Sequence, residues 1–293
     1  MSIDKLQNQI RKLNNPSVVD FSFDQSLIPP RFYESAETAV QAYCQYAGQV
    51  LEALKGIVPA VRFGMGTFSL WGAEGMQMLD ELLAISAKLG FYVFLDVPEI
   101  FSTQDAMLAA EAFLKEESRW RFDGLVLSCY IGSDAVKPFA DRLQIVNDKD
   151  LYVVLRTGNP SALELQELLT GSRLVYTAAA DIAKRLGEKL LSKSGYSRIG
   201  GVGTATSADS LRMLRQKYPQ MFLIVEGYDY PRANAKNCSF AFDKFAHGAA
   251  VCAGASVVGA WKETYTPDGD FIAPVVQAAE RMKKNLTRYI TIL

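Results

Sequence analysis

Arg62 is a charged residue within an otherwise apolar segment, which reads VPAVRF over residues 58–63. A guanidinium buried there needs a carboxylate or a ligand anion, since an unpaired internal charge costs several kcal/mol. Asp96 and Glu99 follow the next apolar segment and are the expected partners of Arg62. These residues predict either a charged cluster that does chemistry or a structural ion pair, and the sequence leaves both open.

A second polar group closes the segment LYVVLRTGNP, which covers residues 151–160. Arg156, Thr157 and Asn159 supply a guanidinium, a hydroxyl and an amide, which suit an anion or a polar heterocycle. They suit a capped strand-to-helix turn equally well.

Nucleophilic and metal chemistry find little support in the sequence. His247 is the single histidine and precedes the last predicted strand, at the end of a barrel where residues serve stability, so a histidine-dependent triad is not expected. The four cysteines form no CxxC and no close Cys/His spacing, so we expect no metal site.

Short apolar segments alternate with longer amphipathic ones and must position these residues. Near-continuous Val, Ile and Phe predicts strands buried on both faces of a parallel sheet. The eight predicted strands are 18–23, 60–66, 92–96, 124–128, 151–156, 198–203, 221–226 and 249–253. Predicted helices cover 38–55, 74–89, 103–117, 161–169, 176–191, 207–217 and 271–287. The fold class is therefore α/β, a closed (β/α)8 barrel. The alternative, a doubly wound sheet, would carry a glycine-rich loop after its first strand, and residues 21–26 contain no glycine.

The composition predicts one soluble barrel domain over residues 1–293, with residues 1–15 forming a helix outside the barrel. The 31 Lys plus Arg against 32 Asp plus Glu argue against a nucleic-acid or membrane-surface binder. No run of about 18 apolar residues predicts a membrane span, and no signal peptide is apparent. With so few cysteines, we expect a cytoplasmic protein.

Several segments, in order, resemble the longer bacterial subgroup of the orotidine 5'-phosphate decarboxylase family, and the resemblance runs nearly end to end. They are residues 58–62 with GAEG at 72–75, YIGSD at 130–134, TGNP at 157–160, GYS at 195–197, FLIVEGY at 222–228 and AW at 260–261. The resemblance implies a (β/α)8 barrel, pairing of barrels through their open ends, and decarboxylation without a cofactor. In that family a lysine held between aspartates stabilises a carbanion and then protonates it.

The family's motif residues are largely replaced at the matching positions. Ser22 stands where an aspartate holds the base and sugar, Arg62 replaces the lysine of the second strand, and Pro98 replaces the proton-donating lysine. Asp96 keeps the first carboxylate, and Glu99 would replace the second aspartate. Proline has no proton to give, and an arginine pKa above ~12 makes a poor general acid.

The nucleotide-binding positions are also altered. Gly158 replaces the serine that reads the pyrimidine, the phosphate loop reads GYDYPRA at 227–233, and Ala255 replaces the phosphate-binding arginine. Our candidate catalytic residues are Arg62, Asp96 and Glu99, and our candidate ligand-binding residues are Ser22, Thr103, Arg156, Thr157, Asn159, Tyr228 and Arg232.

These replacements favour a degenerate family member that does not decarboxylate orotidine monophosphate and uses no metal or cofactor. Such a member would have either a non-catalytic partner or binding role or an altered chemistry on a nucleotide or another anionic small molecule. The resemblance implies a homodimer, with a heteromer with a related barrel as the alternative. The alternative is an active decarboxylase of pyrimidine (UMP) biosynthesis. An active enzyme predicts Lys236 or another amine near Asp96 and a phosphate-sized pocket beside Arg232. A non-catalytic protein predicts a mouth filled by Phe and Tyr.

Overall fold

The computed structural model describes residues 2–266 and 269–290. Eight parallel strands close into a barrel in the order β1-β8-β7-β6-β5-β4-β3-β2, which confirms the predicted (β/α)8 fold. The strands are β1 Ser17–Asp20, β2 Ala60–Gly64, β3 Tyr92–Asp96, β4 Gly124–Leu127, β5 Asp150–Val154, β6 Ser197–Thr204, β7 Met221–Glu226 and β8 Ala249–Ala253. Each matches a predicted apolar segment, because a strand of a closed parallel barrel has side chains buried on both faces.

Helices alternate with these strands. Within the described residues they are α1 Ser2–Leu13, α2 Pro30–Ser35, α3 Ala39–Leu54, α4 Met65–Phe68, α5 Gly72–Leu89, α6 Thr103–Leu114, α7 Ser133–Leu143, α8 Val175–Gly187, α9 Ala208–Lys217, α10 Ala235–Ser239, α11 Ala255–Val258 and α12 Ala273–Thr287. Short 3₁₀ helices cover Gln25–Leu27, Ser69–Trp71, Pro160–Glu164 and Ala260–Thr264. No helix in the described part of the chain is long and apolar enough to span a bilayer.

Helix α1 stands outside the strand–helix series, as predicted, and seals the N-terminal end of the barrel; Met1 lies outside the described residues. Its Ile3, Leu6 and Ile10 are buried in the same apolar cluster as the barrel-lining side chains of several strands. Lys5, on its polar side, forms an ion pair with Asp123, with Nζ 2.9 Å from Oδ2. The helix therefore closes the bottom of the barrel and leaves the opposite end open.

The barrel interior below the open end is filled by aromatic rings. Tyr92, Phe94 and Tyr152 pack together there, fully buried. Two strand glycines make room for them: a Cβ on Gly124 or on Gly200 would lie 2.7 Å from ring atoms of Tyr152. The interior is thus a packed core, and the C-terminal ends of the strands form the end where barrel sites are usually found.

The predicted helix over 161–169 is wrong. The chain forms the 3₁₀ turn Pro160–Glu164 and then a two-stranded hairpin, Leu169–Thr170 with Arg173–Leu174, around a positive-φ turn at Gly171. The side chains of Gln166 and Glu167 point back to the end of β5, where they bind Thr157 and Arg156. These long-range bonds override the local helical pattern.

Candidate functional site

Four charged side chains from different strands meet at the open end of the barrel. Asp20, Arg62, Asp96 and Glu226 stand at or near the C-terminal ends of β1, β2, β3 and β7. Because every strand is parallel, these ends lie on the same rim. The sequence therefore places its charges where barrel chemistry is usually done.

Arg62 is the centre of this cluster, and its side chain is only 8% exposed. Its Nε lies 2.8 Å from Oδ1 of Asp96, and its Nη2 lies 2.5 Å from Oδ2 of the same carboxylate. Its Nη1 forms an ion pair with Glu226. The predicted pairing with Asp96 is confirmed, and the guanidinium is held from two sides by carboxylates.

The cluster carries more carboxylates than cations. Burial raises the pKa of Asp96 to about 6, although the nearby Arg62 guanidinium opposes that shift. Burial likewise raises the pKa of Asp20, again against the pull of Arg62. Burial alone would lower the pKa of Arg62, but the attraction of Asp96, Glu226 and Asp20 outweighs it and leaves that pKa well above its ordinary value. Arg62 therefore stays charged, while Asp20 and Asp96 take up protons more readily than ordinary aspartates.

Glu99 does not join this cluster, contrary to the expectation from its place in the sequence. It is exposed on the loop after β3 and forms no ion pair within the described residues. The chain turns away from the barrel axis directly after Asp96, since the Val97 N–H bonds to Val126 O across the sheet at 3.1 Å. Asp20 and Glu226 supply the extra carboxylates instead. Each is the last residue of an apolar strand, a signal that our candidate list did not use.

Arg156, Thr157 and Asn159 form a separate hydrogen-bond network. Arg156 is buried and pairs with Glu167, with Nη2 2.8 Å from Oε1. The Thr157 hydroxyl donates to Oδ1 of Asn159 at 2.6 Å, and Gln166 binds both the backbone and the hydroxyl of Thr157. These contacts secure the turn after β5. The expected capped helix does not form, since a 3₁₀ turn follows and the Asn159 side chain makes no capping hydrogen bond to the described residues of that turn.

A cleft of about 320 Å³ opens directly above the charged cluster. Its lining includes Ser22, Tyr228 and the residues that follow them on the loops after β1 and β7. The Ser22 hydroxyl accepts a hydrogen bond from the Gly64 N–H at 2.6 Å, which ties the first loop to the second strand. Phe21 is fully buried in the core, and Phe23 is buried in the wall of the cleft.

Two side chains of the loop after β7 occupy the rim of this cleft. The Asp229 carboxylate accepts a hydrogen bond from the Gly254 N–H, with Oδ2 2.7 Å away, and a second from the Ser256 hydroxyl. The ring of Tyr230 lies against Gly158, where an added Cβ would be 2.5 Å from Cε2 of the ring. The loop is thus fastened across the mouth at two points.

A larger cavity of about 800 Å³ lies at the other end of the barrel, near Lys5 and Trp120. Its charged groups are largely paired with each other or with their neighbours, as in Lys5–Asp123, Arg119–Asp80 and Arg142–Glu111. We place the candidate site at the mouth, because the four charged side chains of the barrel strands converge there.

Comparison with known proteins agrees with the sequence resemblance. The chain is 26% identical over 287 residues to the orotidine 5'-phosphate decarboxylase of Clostridium novyi, a match that covers 98% of both proteins. It is 28% identical over 233 residues to that of Rhodopirellula baltica, covering 77% of this chain and 76% of that protein. A putative orotidine 5'-phosphate decarboxylase from Streptomyces avermitilis superposes with a TM-score of 0.79 at 20% identity, over 99% of this chain and 98% of that one. No protein-family model matches the chain.

The resemblance to orotidine 5'-phosphate decarboxylases is confirmed. A putative orotidine-monophosphate decarboxylase from Toxoplasma gondii has the same fold, with a TM-score of 0.79 at 17% identity over 98% of both chains. This chain is therefore an orotidine 5'-phosphate decarboxylase-like barrel, and the motif positions assigned from the resemblance can be examined in its structure.

Within the described part of the chain, no lysine reaches the cluster at the position where the resemblance implies one. None of the lysines among the described residues forms an ion pair with Asp20, Asp96 or Glu226. Lys236, the lysine that an active enzyme would have needed there, is exposed on α10. The described residues also contain no group of three or more His, Cys, Asp or Glu that could hold a metal ion.

Of the remaining candidate residues, Thr103 and Arg232 are exposed and Tyr228 lines the cleft. The Thr103 hydroxyl, at the start of α6, donates to Asp134 Oδ2 at 3.2 Å on the exposed surface. Arg232 is exposed, has a positive φ of 76°, and its guanidinium forms no ion pair or hydrogen bond within the described residues. Tyr228 is half-buried beside the cleft, where burial raises the pKa of its hydroxyl.

Proposed function

We propose that this protein is a decarboxylase-like barrel that binds a small molecule at its mouth and does not decarboxylate orotidine monophosphate. The observation that carries the proposal is the state of Arg62, whose guanidinium is fixed between Asp96 and Glu226. The position that the resemblance assigns to the proton donor is Pro98, which is exposed and has no proton to transfer.

The electrostatics of the cluster support this proposal. A carbanion that forms when CO2 leaves needs a cation or a hydrogen-bond donor already aimed at it, and this is usually the largest catalytic contribution. Here the guanidinium is engaged by carboxylates, and three carboxylates surround one cation. New negative charge in this place would be repelled. Arg62 is also a poor acid, because its pKa is raised further by these neighbours.

A second candidate, an active orotidine 5'-phosphate decarboxylase, is favoured by the names of the relatives. The Clostridium novyi relative carries that name and matches almost the whole chain at 26% identity. Fold and name do not by themselves transfer an activity, because function resides in the site. The site residues therefore carry more weight than the names, and they support the first candidate.

The test is a calorimetric titration with orotidine monophosphate and uridine monophosphate, combined with a steady-state decarboxylation assay. The Clostridium novyi relative serves as the matched control in the same buffers. We expect no turnover above buffer for this protein. Turnover that disappears in Asp96→Asn would contradict the proposal, since it would show that the mouth is catalytic.

We also propose that the chain forms a homodimer through the loops at the open end. Large apolar side chains are exposed on these loops: Leu70 after β2, Phe101 after β3 and Tyr130 after β4. Phe101 is 78% exposed, and an interface at this end of the barrel would bury its ring. This proposal rests on the family resemblance together with these exposures. A heteromer with a related barrel is the outcome to consider if the isolated chain is monomeric.

A further inference from the structure

The loop after β7 places a carboxylate where two hydrogen-bond donors converge. Asp229 accepts from the Gly254 N–H and the Ser256 hydroxyl, which both belong to the segment after β8. A backbone N–H and a hydroxyl that converge in this way bind anions, and here the anion is part of the protein. An anionic group of a ligand would have to displace Asp229 to reach these donors.

The adjacent Tyr230 occupies a second part of the same opening. Its ring packs against the backbone of Gly158 and Gly227 and close to the hydroxyl of Thr204. Glycine is required at both positions, since an added Cβ would lie within 3 Å of the ring. An aromatic ring and a carboxylate, two residues of one loop, are therefore held across the mouth together.

The other charged residues that line the cleft also disfavour the binding of an anionic group. Asp20, Asp24, Glu226 and Asp229 line it, against Arg62 as the cation among the described lining residues. Arg62 is already engaged by Asp96 and Glu226 and is not free for a further anion. The sequence led us to expect an anionic ligand, whereas the charges that line the cleft disfavour phosphate groups.

We propose that Asp229 determines the ligand class of the mouth. Its carboxylate fills the position made by the Gly254 N–H and the Ser256 hydroxyl, so the cleft takes an uncharged or cationic ligand and excludes phosphate esters. This inference rests on the proposed function, in which the mouth binds a ligand without decarboxylating it. It adds to that function the residue that selects the ligand.

The test compares calorimetric binding of uridine and uridine monophosphate to the unaltered protein and to Asp229→Gly. We expect the unaltered protein to show no preference for the phosphorylated compound. In Asp229→Gly the two donors are free, so the affinity for uridine monophosphate relative to uridine should rise at least about tenfold, as a charge-assisted hydrogen bond allows. Ser256→Ala in the Asp229→Gly background should reverse most of this gain.

The matched control is Asp24→Asn, which removes another carboxylate of the same cleft but leaves the two donors occupied. It should show no comparable gain, so an equal gain would mean that general charge and not position matters, and would overturn the inference. If Asp229→Gly fails to fold, Asp229→Ala serves in its place, because its methyl side chain also leaves the Gly254 N–H and the Ser256 hydroxyl without the carboxylate acceptor.

The outcomes separate the two proposals. If uridine monophosphate binds the unaltered protein strongly because of its phosphate, and no turnover occurs, only the inference about Asp229 is overturned and the proposed function stands. The absence of any gain in a folded Asp229 variant has the same consequence. Turnover of orotidine monophosphate by the unaltered protein overturns the proposed function.

Discussion

Replacing Arg62 with methionine tests whether the cluster at the mouth depends on its single guanidinium. Methionine has a similar length and no charge, so the change leaves Asp20, Asp96 and Glu226 together without a cation. Removing one partner of a buried ion pair typically destabilises a protein by about 3–5 kcal/mol. Because the Arg62 side chain is only 8% exposed, we expect a loss in that range at pH 8.

The loss should be smaller at lower pH, because carboxylates without a cation take up protons. The pKa of Asp96 is already about 6 in the folded protein, above its value of about 4 in an unfolded chain. The folded state therefore binds more protons between these values, and stability falls as the pH rises through that window. Arg62→Met should raise the pKa of Asp96 further and extend the window upward. One additional bound proton makes the loss at pH 5.5 smaller by about 2 kcal/mol.

Urea unfolding at the two pH values, followed by circular dichroism, measures both quantities. The matched control is Arg119→Met, since Arg119 forms an exposed ion pair with Asp80. An exposed pair contributes about 0–1 kcal/mol, so this control should lose little at either pH. A loss below about 1 kcal/mol for Arg62→Met, or an equal loss at both pH values, would refute the reasoning.

Three further predictions concern other parts of the barrel. Arg215 donates hydrogen bonds to four backbone carbonyls. Arg215→Lys should therefore lower the free energy of unfolding by about 1–3 kcal/mol for each carbonyl left unpaired. The control Arg212→Lys, at an exposed position, should change the urea midpoint little. Burial raises the pKa of Asp150 to about 7, so the stability of the folded protein falls by about 1.4 kcal/mol per pH unit as the pH rises from about 4 to 7. Asp150→Asn should lack this fall when its thermal unfolding is measured across that pH range. A pH profile that is the same in both proteins would argue against this role of Asp150. If the open-end loops form the dimer, Phe101→Ser should shift sedimentation toward the monomer, while Phe245→Ser, at the other end of the barrel, should not. A dimer that survives Phe101→Ser, or an unaltered chain that is monomeric, would contradict the proposed interface.

The barrel could be predicted from the sequence because each of its strands is a short, nearly continuous apolar segment, the pattern of a strand buried on both faces. Segments such as residues 92–95 and 221–225 are apolar throughout, as two-sided burial requires. The helix predicted at 161–169 failed for a non-local reason. Side chains of that segment bind back to the end of β5, and local periodicity contains no information about such bonds.

The site could be predicted only as far as neighbouring strands allow. Arg62 and Asp96 lie on adjacent strands, and their pairing followed from that. Asp20 and Glu226 join them only because the barrel closes, which brings the ends of β1, β2 and β7 to one rim. Glu99, close to Asp96 in sequence, was the wrong partner because the chain leaves the rim directly after β3. The contact of Asp229 with the segment after β8 likewise depends on closure.

The most direct test of the central claim is a single-turnover experiment. Orotidine monophosphate is incubated with an excess of this protein, and uridine monophosphate is measured by chromatography over several hours. Because no ammonium group lies at the charged cluster in the described residues, we predict that uridine monophosphate does not form faster than in buffer. Stoichiometric conversion would contradict the account, since it would mean that a proton donor reaches the mouth and that this barrel is a decarboxylase.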